Sequence, residues 1–184
     1  MAPIWSRVLT LSFAHPVVLT GGALVAQAAA LSLIRTGTSF DGAEQLLYTQ
    51  YWDWGYGRSQ PPLYTWLLKL LHIPLGVTQL AENLLKFGLI VIALAGMLRL
   101  AQGLGYPRQA AVAAMFSLLL VQDVFWEVQR NYSHTALLLA LLPWTLICWL
   151  RLRRAAWPHF ALFGLLAGLL ILSKYNAAIF LLAL

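Results

Sequence analysis

Long apolar runs separated by short polar segments make up most of the chain. The runs lie near residues 17–34, 81–100, 108–126, 135–150 and 160–184. An α-helix rises about 1.5 Å per residue, so roughly 20 apolar residues cross a hydrocarbon core about 30 Å thick. We therefore predict an all-α fold, a polytopic integral membrane helical bundle with five spans. The third and fourth runs are short for complete spans, so either Phe125 and Trp126 extend the third run or the polar segment after it dips below the membrane surface.

The two ends of the chain raise two further points. Residues 26–28, Ala-Gln-Ala, resemble a small-x-small cleavage site, so a signal peptide is the alternative interpretation of the first run. That run is long for the apolar core of a signal peptide, and further spans follow it in either case. Residues 176–184 stop inside an apolar run with no polar flank, so we expect the chain to be a piece of a longer protein.

The longest polar segment, residues 35–80, joins the first two apolar runs and is rich in aromatic residues. It contains three of the six acids, Asp41, Glu44 and Asp53, together with a pair of prolines. Trp and Tyr side chains favour the membrane–water boundary, where the ring is buried and the polar atom stays hydrated. We predict that this loop lies on, or re-enters, one face of the membrane.

Two interfacial helices are predicted within this loop. The first covers residues 43–51, with Asp41 as its N-cap and Glu44 as the partner in a capping box. The second covers residues 63–72 and begins directly after the two prolines. Its apolar face, interrupted by few polar residues, suits a helix lying in the membrane interface.

The composition supports a membrane protein and excludes several other classes. Hydrophobic residues make up 61% of the chain and charged residues only 10%, whereas a soluble domain carries about 25% charged residues. The net charge of +6 does not indicate a nucleic-acid partner, because the bases are scattered between apolar runs. Cys148 is the single cysteine, so neither a disulfide framework nor a zinc cluster follows. The histidines lack ligand spacing, and we predict no metal site.

Charged residues divide between the two sides of the predicted bundle. With the N-terminus inside, the inner segments carry six bases and no acid: Arg7, Arg99, Arg108, Arg151, Arg153 and Arg154. All six acids fall on the outer side: Asp41, Glu44, Asp53, Glu82, Asp123 and Glu127. By the positive-inside rule, the N-terminus is cytoplasmic and the loop at 35–80 is extracytoplasmic. Lys86 lies near the start of the second run, where its ammonium group can snorkel to the surface.

This one-sided acid cluster favours chemistry at the membrane surface. A carboxylate there can take a proton from an acceptor hydroxyl, while Arg and Lys hold a phosphate leaving group. The alternative is that the acids are solvated charges placed outside by topology alone. A non-enzymatic polytopic protein, such as a transporter or a scaffold subunit, remains the competing class. A transporter, however, places its charges near the bilayer midplane rather than at one face.

Two sequence motifs resemble a known family. A D-x-A motif at Asp41 is followed by an aromatic run, W-G-Y and PPL-x-x-W ending at Trp66, and LLILSKYNA occupies residues 169–177. This pattern resembles the GT-C-fold glycosyltransferases of the family 39 type, which include protein O-mannosyltransferases and the lipid A aminoarabinose transferase. The resemblance implies an inverting transferase in the plasma (inner) membrane. It also implies a polyprenyl- or dolichyl-phosphate sugar donor and an extracytoplasmic acceptor, which is a lipid, a glycan or a protein.

The resemblance also implies a catalytic carboxylate in the first loop, and Asp41 stands at that position. Many members carry a second acid at the next residue, where this chain has Gly42. Glu44, one turn away, is the candidate replacement. The structural alternative for both acids is helix capping. No cofactor follows from the residues, and although the family allows a divalent metal, no ligand spacing supports one.

For the donor phosphate, the candidates are Arg58, from the family pattern, and Lys174, because a charge inside an apolar run usually faces a cavity or a partner. A Lys or His is frequent before the two prolines, but this chain has Gln60 there, which leaves Arg58 as the nearest cation. The structural alternatives are that Arg58 pairs with Asp53 and that Lys174 pairs with an acid of the 123–127 segment. The remaining candidates are possible substrate contacts: Tyr56, Gln60, Arg130 and His134.

Overall fold

The chain folds into an all-α bundle, as predicted. The computed structural model describes residues 15–34, 37–57, 60–152 and 156–184. Within these ranges the helices are α1 (Pro16–Ile34), α2 (Phe40–Tyr48), α3 (Leu63–Leu75), α4 (Gln79–Gly103), α5 (Arg108–Leu118), α6 (Asp123–Arg130), α7 (Ser133–Arg151), α8 (Trp157–Ser173) and α9 (Ala177–Leu182). The first turn of α6, Asp123–Glu127, is π-helical. The described residues contain no β-strand, only an isolated bridge between Tyr56 and Gln60.

Helix α4 forms the centre of the bundle. It packs against α1, α3, α5 and α7, and α8 packs on α7. Phe87, Ile90 and Leu94 of α4 are buried, together with Leu24 of α1 and Leu137 of α7. Burying a large apolar side chain contributes about 1.5–3 kcal/mol in water, but lipid solvates such side chains as well as protein does, so close packing must hold these helices together.

A glycine in α4 allows α7 to approach closely. A Cβ atom built on Gly96 would lie 2.6 Å from Cγ of Pro143 and 2.8 Å from Nε1 of Trp144. The indole N–H of Trp144 donates a hydrogen bond of 3.2 Å to the carbonyl oxygen of Ile92, on the same side of α4. Small residues of this kind let two membrane helices form van der Waals contact along their backbones.

Three helices are long and apolar enough to cross a membrane, namely α1, α4 and α7. The pair α5 and α6 passes the same test when taken together, but the two helices are bent by 63°. Helix α8 has 17 residues and ends at Ser173, and α9 begins only at Ala177. The chain therefore breaks inside the predicted fifth run, and the division into five spans stays a prediction.

Two short helices lie in the loop between α1 and α4, and the predicted cap of the first one is wrong. Ser39 is the N-cap of α2, and its hydroxyl oxygen accepts a 3.1 Å hydrogen bond from the backbone N–H of Gly42. Asp41 lies inside the first turn, where a negative charge interacts favourably with the helix dipole. Helix α3 begins at Leu63, as predicted, and continues to Leu75, one turn beyond the expected end. It stops at Gly76, whose φ of 71° is a left-handed conformation that favours glycine.

Candidate active site

The loop helices lie across one end of the bundle, where α3 contacts α4, α7 and α8. This arrangement brings residues from distant parts of the sequence together. We call Asp41, Tyr64, Glu82 and Lys86 the acidic site. We call the adjoining hydrogen-bonded side chains the amide network: Glu44, Gln45, Gln60, Thr65 and His134.

Asp41 of α2 is half-buried against the start of α7. The backbone N–H of Ser133 lies close enough to its carboxylate to favour the charged form. Burial nevertheless raises the pKa of Asp41 above its ordinary value of 3.8. The Ser133 N–H and the Lys86 ammonium oppose this shift, whereas the charges of Glu44 and Glu82 add to it. A carboxylate with a raised pKa is a stronger proton acceptor, which suits a general base.

Glu82 of α4 supplies a second carboxylate beside Asp41. It is only 3% exposed, and its Oε1 lies 3.1 Å from Nζ of Lys86. Its Oε2 accepts a 2.9 Å hydrogen bond from the hydroxyl of Thr38. Lys86 is 1% exposed, so the prediction that it snorkels to the surface is wrong. An ion pair of this kind is retained in a buried position because each charge has a partner.

The position of Glu82 accounts for the glycine at residue 42. A Cβ atom built on Gly42 would lie 2.7 Å from Oε1 and 2.8 Å from Oε2 of Glu82, and it would also collide with the Thr38 hydroxyl. An acidic side chain at residue 42 therefore cannot coexist with Glu82 in this arrangement. Glu82 was not among the site residues predicted from the sequence, although its spacing of four residues from Lys86, at the start of an apolar run, was a usable signal.

Tyr64 forms the buried wall of the acidic site. It has no exposed surface, and its ring centroid lies 5.6 Å from that of His134. Burial raises the pKa of its hydroxyl, and the charges of Glu82 and Asp41 raise it further, while the Ser133 side chain opposes them. The hydroxyl faces Ser133, but no well-formed hydrogen bond to it is found among the described residues. Tyr64 is therefore a neutral phenol at every physiological pH.

The amide network joins the loop to the bundle through Gln60. The Gln60 amide nitrogen donates a 2.8 Å hydrogen bond to Oε2 of Glu44. The Gln60 Oε1 accepts a 2.9 Å hydrogen bond from Nε2 of Gln45. The Oε1 of Gln45 in turn accepts a 2.7 Å hydrogen bond from the Thr65 hydroxyl. The Nε2 of His134 lies 3.0 Å from the same Gln60 oxygen. Glu44 thus acts through Gln60 in this structure, and not as a capping-box partner.

His134 and Lys174 connect this network to the break between α8 and α9. The Nδ1 of His134 lies 3.2 Å from the carbonyl oxygen of Ser173. Lys174 follows in an extended conformation, and its Nζ donates a 2.9 Å hydrogen bond to the hydroxyl of Thr135. Within the described ranges Lys174 forms no ion pair.

The other predicted site residues lie further from the acidic site or in the loop framework. Tyr56 is 1% exposed, and its hydroxyl donates to the Tyr51 carbonyl oxygen and accepts from the Asp53 N–H; it stabilises the loop. Arg130 is exposed, and its guanidinium lies 4.9 Å from the centre of the Trp126 ring. Arg58 falls outside the described residues. The described residues include no cluster of three His, Cys, Asp or Glu side chains that could hold a metal ion.

A group of tryptophans lies in the same loop region. Trp52, Trp54 and Trp66 line a cleft of about 320 Å³ together with Asp53. The Trp66 indole donates a 2.9 Å hydrogen bond to the Asp53 carbonyl oxygen, which fixes the loop. The Lys69 ammonium lies 5.0 Å from the centre of the Trp52 ring, in the range of a cation–π interaction.

Comparison with known proteins identifies the family. Residues 59–184 match the family model described as dolichyl-phosphate-mannose-protein mannosyltransferase. The chain belongs to this family. This membership confirms the GT-C-type resemblance that the motifs indicated. Together with the helices that are long and apolar enough to cross a membrane, it indicates an integral membrane protein. The matched part contains Gln60, Glu82, Lys86, His134 and Lys174, and it begins after Asp41 and Glu44.

Two curated relatives from Rhizobium johnstonii are also similar to this chain. The lipopolysaccharide core galacturonosyltransferase RgtA is 31% identical over 145 residues, which cover 76% of this chain and 28% of RgtA. The lipopolysaccharide core galacturonosyltransferase RgtB is 30% identical over 152 residues, covering 79% of this chain and 30% of RgtB. The chain therefore spans less than a third of the length of either relative. No solved structure gives a significant match.

Proposed function

We propose that the protein is the part of a membrane glycosyltransferase that carries its catalytic base. The enzyme transfers a sugar from a polyprenyl- or dolichyl-phosphate donor to a hydroxyl group of an extracytoplasmic lipid, glycan or protein. The main observation in favour is the half-buried carboxylate of Asp41, held between Ser133 and the Glu82–Lys86 pair at the loop end of the bundle. Family membership supports the same reaction class.

In the proposed reaction, Asp41 accepts the proton of the acceptor hydroxyl as its oxygen attacks the anomeric carbon. The new glycosidic bond forms on the face opposite the phosphate, the bond from the anomeric carbon to the phosphate oxygen breaks, and the lipid phosphate leaves with the bonding electrons. Burial raises the pKa of Asp41, and the charges of Glu44 and Glu82 add to this shift, which strengthens Asp41 as a base. Glu44 acts as a positioning residue, because it holds Gln60 against His134.

Lys174 and Arg58 are the proposed contacts of the donor phosphate. Lys174 lies at the helix break with only a hydroxyl partner, and a charge near the membrane interior needs an anion. Arg58 would supply two parallel N–H donors from the loop. Arg130, exposed on α6, is a further candidate for contact with the substrate. We also propose the orientation given by the positive-inside rule, with the loop outside the plasma (inner) membrane and the N-terminus in the cytoplasm.

The names of the relatives suggest which sugar to test first. Both are named as galacturonosyltransferases that act on the lipopolysaccharide core, whereas the family description names mannose. Polyprenyl-phosphate donors carrying galacturonic acid and mannose should therefore be compared with the full-length protein. Transfer from either donor supports the proposed function, and the preferred donor identifies the sugar.

Substitution of the proposed base provides the decisive experiment. In the full-length protein, Asp41→Asn should reduce transfer by roughly a hundredfold or more, the usual contribution of a general base. Because burial disfavours the charged form of Asp41, the variant should unfold at an equal or higher temperature than the wild type at neutral pH. The matched control is Asp53→Asn, an exposed acid of the same loop, which should retain transfer. Turnover by Asp41→Asn close to that of the wild type would refute the role of Asp41.

A further inference from the structure

A large cavity opens at the end of the bundle opposite the acidic site. It has a volume of about 810 Å³ and lies between the last turns of α4 and α7 and the first turns of α8. Its walls are largely apolar and include Leu100, Ile147, Leu162 and Leu166. Arg99 of α4 and Arg151 of α7 line the same cavity, and both are exposed. The cavity thus combines two cationic groups with an apolar interior.

Arg99 and Arg151 lie far from the acids of the chain. Among the described residues, no carboxylate forms an ion pair with Arg99 or Arg151. All six acids of the chain precede α4, begin it or lie in α6. Glu82, on the same helix as Arg99, lies about 25 Å away along the axis. Two guanidinium groups at a membrane boundary are stabilised by an anion, and phosphate accepts their paired N–H donors well.

We propose that this cavity is a binding site for an anionic phospholipid. The lipid phosphate lies between Arg99 and Arg151, and one acyl chain lies along the wall formed by Leu162 and Leu166. A basic pocket between membrane helices is suited to such a headgroup, because the positive charge and the apolar wall match the two parts of one molecule. A lipid bound here contacts the ends of α4, α7 and α8, which pack together. The opposite ends of these three helices lie at the acidic site and the adjoining amide network. The site goes beyond glycosyl transfer and does not depend on it.

Cys148 provides a direct test, because it lines the cavity and is the chain's single cysteine. The full-length protein is placed in bilayers of phosphatidylcholine with or without phosphatidylglycerol and treated with a membrane-permeant maleimide. Mass spectrometry of the Cys148 peptide then gives the labelling rate. We expect phosphatidylglycerol to slow labelling about tenfold, because a site that is nine-tenths occupied leaves a tenth of the thiols accessible. Inorganic phosphate, which lacks an acyl chain, should give no protection.

Variants separate a cavity site from general attraction to an anionic surface. Arg99→Gln combined with Arg151→Gln should abolish the protection by phosphatidylglycerol. Leu162→Trp, which keeps both arginines but fills the apolar wall, should also abolish the difference between the two lipids. The matched control is Arg108→Gln, which removes a base at the same end of the bundle outside the cavity lining and should keep the protection. Thermal unfolding of each variant in phosphatidylcholine shows whether it is folded.

Three results would overturn the proposal. Equal labelling of the wild type in both lipids would show that the cavity does not select an anionic lipid. Protection that persists in the double arginine variant (Arg99→Gln with Arg151→Gln) and also in Leu162→Trp would place the lipid elsewhere. A Cys148 that stays unlabelled in every lipid would show that another segment of the full-length protein occupies the cavity. None of these results depends on glycosyl transfer, so the site and the proposed function can fail separately.

Discussion

A single contact between two distant residues shapes the acidic site. Glu82 packs its carboxylate on the backbone of Gly42, and the same carboxylate binds Lys86 and Thr38. The site therefore contains two neighbouring carboxylates without two adjacent acids in the sequence. The buried Lys86 charge compensates one of them, which leaves Asp41 as the carboxylate whose proton affinity is raised by burial.

Enlarging residue 42 should disturb this contact. In Gly42→Ala, the new Cβ would overlap the Glu82 carboxylate, which cannot move without loosening its buried bond to Lys86. We expect a loss of about 1–3 kcal/mol of stability, the usual cost of overpacking, measured by the unfolding of the full-length protein in detergent. The matched control is Gly164→Ala in α8, where the added Cβ meets no atom within 4 Å. A neutral Gly42→Ala variant would show that Glu82 is not fixed where the structure places it.

The raised pKa of Asp41 also predicts a pH dependence. A general base works only when ionised, so transfer should fall as the pH drops through the pKa of Asp41, at a pH above 3.8. Glu44→Gln removes a negative charge that raises this pKa. The acid limb of the plot of kcat/KM against pH should therefore move to lower pH. The matched control is Asp123→Asn, an exposed acid of α6, which should leave the limb in place. A limb that moves to higher pH in Glu44→Gln would contradict this account.

Among the secondary-structure elements, hydrophobic patterning predicted the helices better than their ends. Runs of apolar residues predict helices because the bilayer satisfies no backbone hydrogen bonds, and only a helix satisfies them within one segment. The caps were less predictable, since Ser39 and Asp41 are both good N-cap residues and only the fold selects Ser39. Lys174 looked like a residue inside a helix, but its backbone is extended at the break after α8.

The contacts between elements were the least predictable part of the site. Gln60, His134 and Ser173 meet at one point, although more than 70 residues separate Gln60 from His134 in the sequence. No periodicity encodes such a meeting, because it depends on how α3 lies across the ends of α7 and α8. The family resemblance predicted a role for Asp41, and a charge inside an apolar run predicted one for Lys174. The place of Glu82 beside Gly42 depends on how the two segments pack together.

Gln60 should therefore be the residue that fastens the loop to the bundle. Gln60→Leu has a similar size but leaves the Glu44 carboxylate and the Gln45 amide without their partner. Each lost hydrogen bond costs about 0.5–1.5 kcal/mol, so we expect a loss of about 1–3 kcal/mol in thermal unfolding followed by tryptophan fluorescence. Gln50→Leu is the matched control, because Gln50 follows α2 and is exposed, and its side chain donates to the Leu46 carbonyl oxygen of that helix. Equal stability of the two variants would mean that the network does not anchor the loop.

At the scale of the whole molecule, the two ends of the bundle differ in charge. The acidic site, Asp53 and the acids of α6 lie towards the loop end, and the opposite end carries Arg99, Arg108 and Arg151 without any acid. By the positive-inside rule, a charge separation of this kind predicts the orientation of the chain in the membrane, and it supports a different proposed ligand at each end. The loop end suits a reaction at a carboxylate, and the basic end suits an anionic headgroup.

This separation predicts which end faces the outside of the cell. In a full-length protein without other cysteines, including Cys148→Ser, Gln50→Cys places a thiol on the exposed surface of the loop. Gln109→Cys places one at the start of α5, also exposed but at the basic end. The positive-inside rule predicts that an impermeant thiol reagent labels Gln50→Cys on intact cells and labels Gln109→Cys only after the cells are permeabilised. Labelling of Gln109→Cys alone on intact cells would invert the orientation. The acidic site would then face the cytoplasm, where an extracytoplasmic acceptor cannot reach Asp41.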